Sequence, residues 1–210
     1  KKNIHRNRQK GRVVSQATLD DDFIVPDTMD DMEQVILDTG SVQIESSRPQ
    51  GEKVVIRGKL DFKVLYRREG GGLQALGGSI PFEETVNVPG LTEHDFVNVT
   101  WDLDDLNAGM INSRKINVKA LVTLNVQVET MFDTEAAVDA GNGEDVRALK
   151  EELEVAEIAV RKKDTYRVKE NLTLPGSKPN LEKILWSEVQ LSGTSSRPGD
   201  GNIHIEGELA

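Results

Sequence analysis

Residues 53–66 read KVVIRGKLDFKVLY, and their alternation decides the fold class. The even positions carry Val54, Ile56, Gly58, Leu60, Phe62, Val64 and Tyr66, and the odd positions carry Val55, Arg57, Lys59, Asp61, Lys63 and Leu65. A period of two with one apolar and one mostly polar side marks a half-buried strand. The pattern returns at 116–128, where Ile116, Val118, Ala120, Val122, Leu124, Val126 and Val128 share a face opposite Lys115, Asn117, Lys119, Thr123, Asn125, Gln127 and Glu129. A third stretch sets Val97, Val99, Trp101 and Leu103 on one side. A strand of ~13 residues spans ~43 Å at ~3.3 Å per residue, which is long for a sandwich. These strands are therefore expected to bend or bulge and serve two sheets, with Gly58 as a bend point. Gly70-Gly71-Gly72 reads as a hairpin tip, and Pro81 and Pro89 bracket a further strand over 82–88. The expected class is all-β: a β-sandwich or open barrel of long, bent antiparallel strands.

One short helix per repeat unit is expected beside the strands. Met32, Val35 and Ile36 fall at i, i+3 and i+4, and Thr28 or Asp27 stands where a cap belongs. Asp30, Asp31 and Glu33 would then occupy a first turn, where the helix dipole favours carboxylates. Residues 135–149, rich in small and polar residues around Gly141-Asn142-Gly143, read as a linker or long loop.

A shift of 149 residues reveals an internal repeat. Residues 26–60 align with 175–209 without a gap, and nine of the 35 positions are identical, among them Ser46-Ser47-Arg48-Pro49 with Ser195-Ser196-Arg197-Pro198, and Gly58 with Gly207. Ordinary composition would give roughly two. Others keep their class, as in Met32/Leu181, Val35/Ile184, Val42/Leu191 and Val54/Ile203. The expected organisation is a first unit over 1–134, a linker over 135–149, and the N-terminal half of a second, truncated unit over 150–210. Such a half unit cannot bury its apolar face alone, so it is expected to pack on the first unit or on another chain, which leaves homo-oligomers open.

Composition removes several function classes. The 210 residues include no cysteine, which excludes disulfides, a cysteine nucleophile and cysteine-ligated metals. Of three histidines, His5, His94 and His204, no two stand four apart. No apolar run approaches the ~18 residues of a membrane helix, and the basic start lacks the apolar stretch of a secretory signal. A reducing, cytosolic compartment fits best. The net charge is −10, yet residues 1–12 hold six basic side chains and no acid, leaving 20 basic against 36 acidic, or −16, for the rest. A basic arm can contact nucleic acid, but an acidic body repels phosphate and no aromatics interleave the arm, so a solvated edge strand or a disordered start is the preferred reading and no nucleic-acid partner is expected.

Motifs for chemistry are sparse. Gly77-Gly78-Ser79 lacks the glycine that would complete a nucleophile elbow, and Gly70-Gly71-Gly72 is followed by Leu73 rather than a phosphate-loop lysine. Asp20-Asp21-Asp22 and Asp102, Asp104, Asp105 match no calcium loop and are expected to be solvated turns or helix caps. Neither catalytic nor metal-ligating residues are expected, nor a cofactor. The recurrent Ser-Ser-Arg-Pro lies between strands in both copies, where it reads either as a proline-fixed turn or as Arg48 and Arg197 presented to a partner carboxylate or glycan. Trp186 aligns with Leu37, and its ring serves either a core or a binding surface. Arg48, Arg197 and Trp186 are thus the candidate binding residues.

The runs KKNIHRNRQKGRVVSQATLDDDFIVPDTMDDMEQVI, WDLDDLNAGMINSRKINVKALVTLNVQVE and KKDTYRVKENLTLPGSKPNLEKILW make the chain resemble SPOCS-domain proteins of endospore-forming bacteria. Such proteins carry successive SPOCS units and usually a C-terminal LysM module, which is not visible here. The resemblance implies a non-catalytic scaffold of spore coat or envelope assembly, in the mother-cell cytoplasm at the outer forespore surface. It implies contact with the coat basement-layer ATPase, in some relatives through the LysM region. Peptidoglycan or another glycan is the alternative ligand. No catalytic residue is known in the family, so the chain is not expected to be an enzyme.

Overall fold

A computed structural model describes residues 1–139, 149, 151–152, 154–157 and 166–210. Most of the expected linker over 135–149, and the expected start of the second unit at 150, lie outside the described residues. Eight strands follow in order: β1 (Lys2–Ile24), β2 (Met32–Gln50), β3 (Lys53–Arg68), β4 (Leu73–Asn87), β5 (Phe96–Asn112), β6 (Lys115–Ala136), β7 (Leu191–Pro198) and β8 (Ile203–Leu209). All pairings are antiparallel, in sheets ordered β1-β6-β5, β2-β3-β4 and β7-β8.

The first two sheets face each other across one core. β3 buries Val54, Ile56, Gly58, Leu60, Phe62, Val64 and Tyr66, and β6 buries Ile116 through Val128 at every second position. These are the faces the alternation predicts. Each strand, however, serves one sheet rather than two. The sheets meet along both sides: β2 runs beside β5, where Ala108 N donates to Asp38 at 2.8 Å, and β4 beside β1, where Ser15 Oγ donates to Glu84 at 2.9 Å. No ladder joins the two sheets, so the sandwich does not close into a barrel. Trp101, placed by its alternation on the apolar side, sits on edge strand β5 and stays 37% exposed.

The irregularities are segregated. β3 and β6 run through their ladders without an extra residue, while Lys10 in β1, Glu33, Ile36 and Glu45 in β2, and Asp104 and Ile111 in β5 are passed over by the pairing. A bulge bends its own strand and leaves its partner straight, so the flanking strands take up the curvature. Gly58 is less a bend in β3 than a space opposite the β2 bulge. A Cβ there would lie 2.7 Å from the Gln43 carbonyl and 2.7 Å from the Phe82 ring.

The helix expected over 29–38 is absent. A turn closed by Met29 N on the Pro26 carbonyl, at 2.8 Å, leads directly into β2. Two bulges, at Glu33 and Ile36, make the inward positions of β2 fall at Met32, Val35, Asp38, Gly40 and Val42. The first steps are three residues long, and that spacing imitates a helix. The counterpart at 178–187 is not helical either. Gly70, Gly71 and Gly72, all with positive φ, form the β3–β4 tip as expected. The strand expected over 82–88 begins earlier, at Leu73, and passes through Pro81, which a free sheet edge tolerates because no ladder donor is lost.

The small sheet repeats the large one. Val42↔Leu60, Gln43↔Lys59, Ser46↔Arg57, Ser47↔Ile56, Arg48↔Val55 and Pro49↔Val54 correspond, under the 149-residue shift, to Leu191↔Leu209, Ser192↔Glu208, Ser195↔Glu206, Ser196↔Ile205, Arg197↔His204 and Pro198↔Ile203. The register break falls at the same place. The turn repeats too, with Lys178 N on the Pro175 carbonyl at 2.9 Å.

Gly58→Ala is expected to lower stability by about 1–3 kcal/mol, because the contacted carbonyl belongs to the ladder and cannot retreat. Gly77→Ala, whose Cβ meets nothing nearer than 3.4 Å, is the matched control. Urea unfolding midpoints compare them; coincident midpoints would remove the steric argument.

Candidate functional site

The outer face of the β2-β3-β4 sheet holds two of the three predicted candidates. Arg48 is exposed near the β2–β3 turn, opposite Val55. Ser46 through Pro49 belong to β2, and Ser195 through Pro198 to β7, so the repeated motif is strand rather than a turn between strands. Trp186 approaches the other end of the same face. Lys63 Nζ lies 5.6 Å from the centroid of its ring and donates to Ser187 Oγ at 3.4 Å. Val55 and Lys63 are eight residues apart on β3, or ~26 Å, so Arg48 and Trp186 do not form one site. Arg197 stands in the separate β7–β8 sheet, opposite His204.

Trp186 through Val189 border a groove of about 420 Å³ whose floor is Thr39, Gly40 and Ser41 of β2 and Asp61, Phe62 and Lys63 of β3. The residue that aligns with Trp186, Leu37, is a β2 residue 47% exposed, so Trp186 has no core position to inherit. Its half-buried ring instead rests on the first sandwich, with a cation over one face.

The acidic clusters are strand residues, not turns or caps. Asp20 and Asp22 accept from Asn117 Nδ2 at 2.6 and 2.9 Å, and Asp22 pairs with Lys115 at 2.6 Å. The Asp22 carboxyl is held below its ordinary range, chiefly by the Lys115 hydrogen bond. Asp102 accepts from Asn125 and Asp104 from Thr123. The basic start is likewise absorbed into the fold as the first strand: His5 pairs with Asp133 at 2.6 Å, and Arg6 and Arg8 lie 5.8 and 5.7 Å from the Phe132 ring centroid.

Two polar centres were not visible in the sequence. Arg114 donates to the carbonyls of Met29, Val25 and Pro26 and pairs with Asp31 at 3.0 Å, clamping the β1–β2 connection. Asp95, whose side chain is fully buried, accepts at Oδ2 from Lys10 Nζ and from Thr92 N, each at 2.7 Å. Its Oδ1 is buried without a hydrogen-bond partner. Burial pushes the Asp95 carboxyl upward, but the Lys10 ammonium, the Thr92 N–H and the hydroxyls of Thr130 and Thr92 outweigh it and hold it at about 2. Thr92-x-x-Asp95 is a legible turn signature. The partner Lys10, 85 residues away, is the β1 bulge residue and carries no sequence signal.

Residues 31–111, from the entry to β2 through nearly all of β5, match the family model described as SipL, SPOCS domain. That match agrees with the resemblance of the chain to SPOCS-domain proteins. No curated protein and no solved structure matches the chain. Among the described residues, no helix is long and apolar enough to cross a membrane.

The Lys10–Asp95 pair sets an acid limit on stability. The folded carboxyl titrates below its unfolded value of 3.8, so its contribution is present above pH 3.8 and is lost as pH falls toward about 2. Asp95→Asn is expected to flatten the stability curve in that window. Lys10→Met, which leaves the carboxylate buried and unpaired, is expected to cost roughly 3 kcal/mol at neutral pH. Chemical denaturation from pH 2 to 7 reads both, and a Lys10→Met protein as stable as the parent would mean the pair ties nothing.

Proposed function

We propose that the chain is a non-catalytic binding module of bacterial spore envelope assembly, acting through protein–protein contacts of its β surfaces and edges. The observation that carries this reading is the SPOCS match over 31–111. The polar outer faces support it. Their charges are largely neutralised within the sheets, as in Arg57–Glu83, Arg67–Glu33, Lys59–Asp61 and Lys115–Asp22. Such faces recognise by shape and backbone rather than by presenting a reactive group. The family resemblance extends the proposal to the mother-cell side of the forespore and to the coat basement-layer ATPase as partner.

A second reading, a peptidoglycan-binding module, draws on the Trp186 groove, where an indole stands beside Asp61, Ser41 and Thr39. Lys63 over the ring weakens it, because a sugar would need that face.

Immobilised 210-residue protein is expected to retain the purified coat basement-layer ATPase, and the free protein to stay in the supernatant when peptidoglycan sacculi are pelleted. Retention of the ATPase solely by a longer chain bearing LysM would overturn a direct role for the SPOCS portion. Sacculus binding lost on Trp186→Ala would establish the second reading in its place.

A further inference from the structure

The β1–β6 ladder runs past the rest of the first sandwich at one end. β5 begins at Phe96, opposite Glu129, and beyond that point β6 pairs with β1 alone, from Arg8↔Thr130 to Lys2↔Ala136. On the facing side Val88, just past the end of β4, already lies against Gly11. What remains is a two-stranded ribbon of seven residues per strand, about 23 Å long.

Residues directly opposite in an antiparallel ladder share a face, so the register sorts the side chains of the ribbon. One face, continuous with the core side of β6, carries Lys2, Arg6 and Arg8 around Phe132, and no acid. Among the described residues, none of these three cations pairs with a carboxylate. Both guanidinium groups stand over the Phe132 ring. The other face carries Glu129, Asp133 and Glu135 around Met131, offset in part by His5 and Lys1. Glu157 adds a further negative charge near His5. Phe132 and Met131 are each more than a third exposed, as are Asp133 and Glu135.

We propose that the ribbon joins copies of this chain head to tail, the Arg6–Phe132–Arg8 face of one copy seating on the Met131–Asp133–Glu135 face of the next. Each face sets one exposed apolar side chain among charges, and the charges of the two faces are opposite in sign. Arg6 and Arg8 stand two residues apart on one strand, and so do Asp133 and Glu135, so both pairs have the same ~7 Å spacing. Guanidinium and carboxylate can then bond twice across the contact, with the Met131 thioether against the Phe132 ring. A two-fold pair would oppose like charges, so the contact is heterologous and builds a row or a ring. Each face measures about 23 by 10 Å, well below the ~800 Å² per partner of a stable interface, so the association is weak and screened by salt. The inference goes beyond the function proposed above, because the chain can hold its partner with or without self-association.

Sedimentation velocity of the full 210-residue chain tests it. The parent is expected to gain mass with concentration at low salt and to lose that gain at high salt. A chain carrying Arg6→Gln with Arg8→Gln, and one carrying Asp133→Asn with Glu135→Gln, are each expected to stay monomeric alone, with the circular dichroism of the parent. Mixed, the two are expected to form a one-to-one pair that grows no further, since each keeps the face the other has lost. A parent that is monomeric at low salt overturns the proposal, whether or not it pellets with vesicles of anionic lipid. So does growth that persists in either neutralised chain, because another surface then carries it, and so does a mixture that forms no pair.

Discussion

The two central strands cannot tolerate an extra residue. β3 and β6 each bury seven successive inward positions, and a slip of one would turn every one of them to solvent. Each is also paired on both sides, so an insertion would have to be absorbed by two ladders at once. The flanking strands β1, β2 and β5 carry all the bulges in the sandwich for this reason. Curvature is generated where one ladder is disturbed, and the core sees an uninterrupted apolar row.

Bulges also re-aim side chains. Lys10 leaves the alternation of β1 and reaches the buried Asp95. Glu33 leaves that of β2 and receives both arms of Arg67 at 3.0 Å. Asp104 leaves that of β5 and accepts from Thr123. The devices that curve the sheets therefore place three of their charged contacts. At Lys10 the gain is largest, because a cation brought to a buried carboxylate replaces the hydration the carboxylate has lost.

What could be read from the sequence divides along the same line. Where the alternation is unbroken, as from Val54 to Tyr66 and from Ile116 to Val128, the buried face was legible residue by residue. Where bulges intervene, the period lengthens from two toward three. Met32, Val35 and Ile36 then resemble a helix stripe, although Ile36 is an outlying bulge residue 49% exposed. Asp30, Asp31 and Glu33 completed the illusion. Their partners are Arg68, Arg114 and Arg67, the last two of them 83 and 34 residues distant, not a helix terminus. Contacts that join through three-dimensional closure, such as Lys10 with Asp95, leave no local trace. Arg48 and Arg197 were found by repetition alone, and repetition marks equivalent places in two hairpins rather than one shared site.

The repeat shows what the hairpin itself specifies. Turn, register break and inward apolar row recur between residues 26–60 and 175–209, while the outward charges do not. Pairing geometry is thus encoded within the hairpin, by Pro26 or Pro175 at the turn, by the glycine opposite the bulge and by the alternation that follows. The choice of neighbour is encoded separately, in the outward row. β3 offers Arg57 and takes Glu83, and β8 offers Glu206 at the same position. The backbone pattern of the hairpin thus survives a charge reversal at an outward ladder position, because turn, register break and inward row do not depend on the side chains that point away from the core.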